Sequence, residues 1–223
     1  MPLPSQRPRR PIVAPLLALL ACGILLLGGA LSGPVDAPAR AFGQAEDGSP
    51  APVISPVGGN WTLLVNLGPD TAPTDLLRPL DAWVTSAFTF DGLSKRFHTF
   101  RRGLPALSTL QVIGEGEAFW AFVPPDRLEG DLTFWTQDPG VRNQTQQLHP
   151  GFNLVPWTGQ SGLAVSLATI GLPIRRAYSW DPLRQAFDVW NPDLPAALQV
   201  DFQLEYGQGL WLDLSSSADW EQS

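Results

Sequence analysis

Trp61-Thr62-Leu63-Leu64, closed by Gly68, is answered 91 positions later by Phe152-Asn153-Leu154-Val155, closed by Gly159. The correspondence continues along the chain at a spacing of 90. Phe88-Thr89-Phe90-Asp91 matches Tyr178-Ser179-Trp180-Asp181, Phe97 matches Phe187, Phe100 matches Trp190, and Leu104-Pro105-Ala106 matches Leu194-Pro195-Ala196. Gly116 then pairs with Gly207 and Trp120 with Trp211, again at 91. Self-similarity at one fixed spacing is the sequence sign of a duplicated unit. The expected fold is α+β and mainly β, with two tandem copies of a small unit after an N-terminal hydrophobic leader. Each copy is expected to hold short antiparallel strands and one short helix.

Composition agrees with short elements. The 23 Pro and 21 Gly in 223 residues interrupt the chain too often for long helices and suit short strands joined by turns. A content of 44% hydrophobic and 16% charged residues is that of a chain able to bury a core. The formal charge of −7 understates the acidity beyond the leader, because Arg7, Arg9, Arg10 and Arg40 all precede Phe42 and only Asp36 offsets them. From Phe42 onward, 20 acidic residues remain against 10 basic ones. A surface of that sign repels phosphate backbones, so nucleic acid is not an expected partner.

The leader begins with Arg7, Arg9 and Arg10 and continues through an uncharged stretch from Pro11 to Val35. Basic residues before an apolar run form an export signal, with the arginines held on the cytoplasmic side. The protein is therefore expected to be exported, extracellular or in the cell envelope. Two readings of residues 1–41 stand side by side. Ala39-Arg40-Ala41 has the small-x-small form of a cleavage site, and residues 11–32 are long enough for a membrane-spanning anchor, which needs about 20 apolar residues. Cys22, the single cysteine, sits within this run rather than at its end, which argues against lipidation. The exported part lacks cysteine and so has neither disulfide nor thiolate site.

Residues 42–58, rich in Gly, Pro, Ala and Ser, read as a flexible linker. The first unit is expected over 59–135, a second linker over 136–149 containing the polar run Asn143 to Gln147, and the second unit over 150–223. Each unit opens with an apolar strand, Trp61–Leu67 and Phe152–Trp157. A helix is expected where Leu76, Leu77, Leu80, Trp83 and Val84 recur at three-to-four-residue spacing, and where Leu163, Ala164, Leu167 and Ala168 do. Paired strands follow, Val84–Phe90 with Arg96–Phe100 and Ala177–Trp180 with Ala186–Trp190, turning at Asp91-Gly92-Leu93-Ser94 and Asp181-Pro182-Leu183-Arg184. Ala118–Val123 and Leu210–Leu214 read as strands buried on both faces, and Leu132–Trp135 as a further strand. Units of roughly 70 residues lie near the lower limit for independent folding, and one shared core and two separate domains both stay open.

Gly151-Phe152-Asn153-Leu154-Val155, then Tyr178-Ser179-Trp180-Asp181, then Gly207-Gln208-Gly209-Leu210-Trp211 resembles a tandem repeat of exported and surface-attached prokaryotic proteins. Its usual form is Gly-Trp-Asn-Leu-Val/Ile, a later Trp/Tyr-Asp, and a closing Gly-x-Gly-x-x-Trp. The resemblance is good in the second copy and looser in the first, where Asn66 stands in place of a motif Trp. That family has no established activity, so the resemblance implies location and architecture rather than a reaction.

The duplication also sorts candidate chemistry, since a residue kept in both copies serves the shared fold. Asp91 and Asp181 recur at the starts of hairpin turns, where Asp bonds backbone amides two residues on. Glu115 and Glu117 have Tyr206 and Gln208 as counterparts and read as an exposed acidic turn, with nothing to set two different pKa values. His98 and His149 lack metal-ligand spacing, and Ser161 lacks the glycine spacing of a nucleophile elbow and reads as a helix cap. Neither catalytic residues, a metal site nor a cofactor is expected. Of the nine Trp, Trp61, Trp120, Trp180, Trp190 and Trp211 have aromatic counterparts and are assigned to the core. Trp83, Trp135, Trp157 and Trp220 have none, and are the candidate ligand-binding residues of a carbohydrate-binding alternative. The expected role is non-enzymatic, in structure or interaction. The expected partners are cell-wall polysaccharide or another envelope protein, with the N-terminal segment engaging the membrane.

Overall fold

A computed structural model describes residues 60–78, 84–123 and 144–222. The fold over these residues is mainly β. The first four-stranded antiparallel sheet holds β1 (Asn60–Asn66), β2 (Ser86–Asp91), β3 (Arg96–Arg101) and β4 (Glu117–Val123) in the order β1-β4-β2-β3. The second holds β6 (Gly151–Pro156), β8 (Ile174–Asp181), β9 (Ala186–Trp190) and β11 (Gly209–Leu214) in the order β6-β11-β8-β9. In each sheet the strand that arrives last lies beside the strand that comes first. Two small ladders, β7 (Leu163–Ala164) with β10 (Gln203–Leu204) and β5 (Thr145–Leu148) with β12 (Ala218–Glu221), complete the β structure.

Strand alternation distributes the apolar residues over three layers. On β1, Leu63 and Val65 face the second sheet while Leu64 faces away; on β4, Ala118 and Trp120 face it while Phe119 and Ala121 do not. This is why Ala118-Phe119-Trp120-Ala121 carries no polar residue: the strand is buried on both faces. Leu210-Trp211-Leu212 does the same for the second sheet, Trp211 pointing to the middle layer and its two neighbours outward. The middle layer draws Leu63, Val65, Phe90 and Trp120 from one sheet and Leu154, Tyr178 and Trp211 from the other, so the two sheets share one core.

The contacts across this layer are reciprocal. Trp120 meets Trp180 at a ring separation of 5.1 Å and Phe187 at 6.0 Å; Trp211 meets Phe90 at 5.0 Å and Phe97 at 6.3 Å. Edge-to-face geometry of this kind contributes beyond simple burial. Backbone contacts follow suit. Lys95 Nζ donates to the Phe152 carbonyl at 2.9 Å, and Gln185 Nε2 donates to the Trp61 carbonyl at 3.1 Å. Lys95 and Gln185 are also the only non-glycine residues with positive φ among the described residues, at 59° and 50°, each closing a hairpin.

Several expectations are corrected. Of the first expected helix, the described residues hold one helical turn, α1 (Pro73–Leu76), which starts at a proline suited to the first helical position; Leu80 and Trp83 lie outside the described residues, and Val84 is a buried connecting residue. Leu163 and Ala164 belong to β7, and only α2 (Val165–Ala168) is helical. The polar run assigned to a linker contains β5, whose Leu148 is buried against the outer face of the second sheet. Leu132–Trp135 and the leader lie outside the described residues. Among the described residues no helix is long and apolar enough to cross a membrane.

Candidate functional site

Of the four tryptophans expected to bind ligand, Trp83 and Trp135 lie outside the described residues. The other two are not exposed platforms. Trp157 and Trp220 are only 1% and 2% exposed and pack on one another at 5.5 Å beneath the second sheet. Their indole N–H groups are already used, Trp157 donating to the Gln160 carbonyl at 3.0 Å and Trp220 to that of Ala168 at 2.8 Å. A ring buried on both faces and hydrogen-bonded at its edge has nothing to offer a sugar, and both belong to the core.

The polar candidates are dispersed. Asp91 and Asp181 hold their turns as expected, each accepting the backbone N–H two residues on, from Leu93 and Leu183, at 2.8 Å. Bonds from Ser94 and from the Leu93 N–H hold the Asp91 carboxyl below its usual range. For Asp181, partial desolvation is outweighed by the bonds that Arg184 and Leu183 donate, and its carboxyl is also lowered. Glu117 departs from the exposed-turn reading. It is half-buried at the start of β4, where desolvation raises its pKa although its Oε2 accepts the Gly114 N–H at 2.7 Å. Glu115 beside it is exposed. Ser161 does not cap α2, whose N-cap position is Ala164; its hydroxyl accepts the Tyr206 N–H at 2.9 Å and ties two loops together. Among the described residues no three His, Cys, Asp or Glu side chains stand close enough to hold a metal ion.

What the sequence reading missed is a set of exposed leucines. The tip residues Leu93 and Leu183 are each 71% exposed. After β3 and after β9 the chain makes a single 3₁₀ turn, Pro105–Leu107 and Ala196–Leu198, each flanked by an exposed leucine, Leu104 and Leu194. Leu107 is 60% and Leu198 66% exposed. The signal lay in the repeated Leu-Pro-Ala, where proline fixes an outward turn in both places. Residues 104–110 also fold back along β3. The Thr99 and Arg101 N–H groups donate to the hydroxyls of Thr109 and Ser108, and the Thr99 carbonyl accepts from Thr109 and Leu110. This shields the edge strand from pairing with another chain. An open cleft of about 340 Å³ lies beneath this loop, between Pro73 of α1 and Phe100, Arg101 and Leu110.

Among the described residues the arrangement offers two turn-presented apolar loops. Comparison of the chain with family models, with curated proteins and with solved structures gives no match.

Proposed function

We propose that this is an exported, cell-envelope protein with a non-enzymatic interaction role, built from two copies of one unit that face each other about an internal two-fold. The equal strand orders, the reciprocal aromatic contacts and the reciprocal Lys95 and Gln185 hydrogen bonds support the duplication. The resemblance to the tandem repeats of surface-attached proteins and the basic-then-apolar leader support the location.

One observation carries the interaction role. Leu104 and Leu107 recur as Leu194 and Leu198, and in both places they are exposed. A residue kept in both copies is normally kept for packing, yet these bury little and keep large apolar surfaces in water. Exposed apolar clusters on a folded surface mark binding faces. The test is photo-crosslinking in the native host, with the crosslinker at position 107 or 198 of the full chain and at exposed Ser216 as control. The reading expects adducts to an identified envelope component at 107 and 198 and none at 216. Equal or absent labelling at all three positions contradicts it.

A further inference from the structure

The two loop faces share their leucines but not their charge. Residues 91–114 carry Lys95, Arg96, Arg101 and Arg102 against Asp91, a net of +3 with histidine neutral. Residues 181–200, which match the 91–109 part of that stretch, carry Arg184 against Asp181, Asp188 and Asp193, a net of −2. The turn chemistry that both stretches need is preserved in Asp91 and Asp181, and Lys95 and Arg102 bond the Phe152 and Val84 carbonyls, so the divergence outside these contacts lies in Arg96, Arg101 and Asp193. Arg96 and Arg101 are exposed on β3; Asp188 is half-buried on β9 beside Arg184, and Asp193 is exposed in the loop after that strand.

The topology puts these faces on opposite flanks. β3 is the edge strand of the first sheet, and its Phe97 and the neighbouring Lys95 reach Trp211 and Phe152 on β11 and β6. β9 is the edge strand of the second sheet, and Gln185 just before it reaches Trp61 on β1, the edge of the first sheet opposite to β3. The basic edge and the acidic edge therefore point away from each other. One flat surface cannot engage both, whereas a neighbouring copy can.

Resting on the interaction reading above, we propose that the basic β3 flank of one molecule docks on the acidic β9 flank of the next. The exposed leucines of the two flanks are buried together and the opposite charges set the pairing. Such a contact joins different faces of identical chains, so it repeats head to tail and builds a filament or closes a ring. Complementary fields of this kind govern partner choice and encounter, and weaken with salt.

The test uses the full-length chain in mild detergent, followed by sedimentation velocity. Two variants are compared with the parent, Arg96→Glu/Arg101→Glu and Asp188→Lys/Asp193→Lys. The proposal expects concentration-dependent association of the parent at about 0.01 M salt, lost at about 1 M, where the screening length has fallen to ~3 Å. Each variant alone associates about tenfold more weakly or not at all, because its two flanks now carry the same sign. An equimolar mixture of the two variants regains association, which also shows that both are folded. The proposal is overturned if the parent stays monomeric at every concentration and salt, or if it associates to the same extent with either flank reversed. It is equally overturned if the parent binds phosphatidylglycerol vesicles and Arg96→Glu/Arg101→Glu does not, which assigns the basic flank to a lipid surface. Crosslinks from position 107 or 198 to a different envelope protein, with no self-adduct, leave the interaction role standing and remove this inference; crosslinks to nothing remove both.

Discussion

At the scale of single residues, the middle layer contains polar atoms without partners. The Tyr178 hydroxyl and the Trp120 and Trp211 indole N–H groups are buried and unpaired among the described residues. Burying an unsatisfied donor costs about 1–3 kcal/mol, and tyrosine is the one case where the atom can be removed with little change of shape. Tyr178→Phe is therefore expected to raise stability by about 1 kcal/mol in urea denaturation; a loss instead would show that the hydroxyl has a partner. Glu117 gives a second residue-scale expectation. Its folded pKa is raised by desolvation, so the folded state holds the proton more tightly than the unfolded chain does. Its contribution then favours folding at low pH and is lost as pH rises from the ordinary glutamate range through the raised folded value. Glu117→Gln should remove that decline, leaving stability at neutral pH equal to or above that of the parent. An unchanged pH slope would contradict it.

At the scale of elements, the closing Gly-x-Gly of the second unit shows two different uses of one residue type. Gly207 has φ +80°, the left-handed turn that leads into β11. Gly209 lies against the first sheet, and a Cβ there would stand 2.5 Å from Leu63 Cγ. Gly209→Ala should therefore cost about 1–3 kcal/mol through overpacking, read as a shift in denaturation midpoint; a neutral result would mean that Leu63 moves aside freely. All eight main strands were legible because their apolar residues recur at matching positions along the chain. The strand β5 was not: Thr145-Gln146-Gln147-Leu148 has one apolar residue and gains its order from pairing with β12, far along the chain. The second helix shrank to a single turn because the apolar spacing around Leu163 reflects burial of a short segment that begins as β7, not a continuous helical face. Trp157 and Trp220 were misplaced for a similar reason, since each fills a space that only the other, 63 positions away, helps to create.

At the scale of the whole molecule, the matching positions were visible in sequence but the way the two sheets meet was not. Aligned aromatics mark equivalent positions, yet nothing in one chain states that Trp120 will pack on the counterpart of Phe90 rather than on its own neighbours. The same holds for the candidate site. The repeated Leu-Pro-Ala was legible as a loop, and only its exposure in both places separates it from the core, because exposure depends on what the rest of the chain covers.

The central claim is that both sheets stand on one shared aromatic layer. Hydrogen exchange measured by mass spectrometry on the full chain carrying Trp211→Ala tests it most directly. Removing a buried Trp costs about 3–5 kcal/mol. With Trp211 seated against Phe90 and Phe97 of the opposite sheet, amides of β1 and β4 are expected to lose protection together with those of β6 and β11. Loss confined to the second sheet, with β1 and β4 exchanging as in the parent, would show that the two halves are separate cores and would contradict the account.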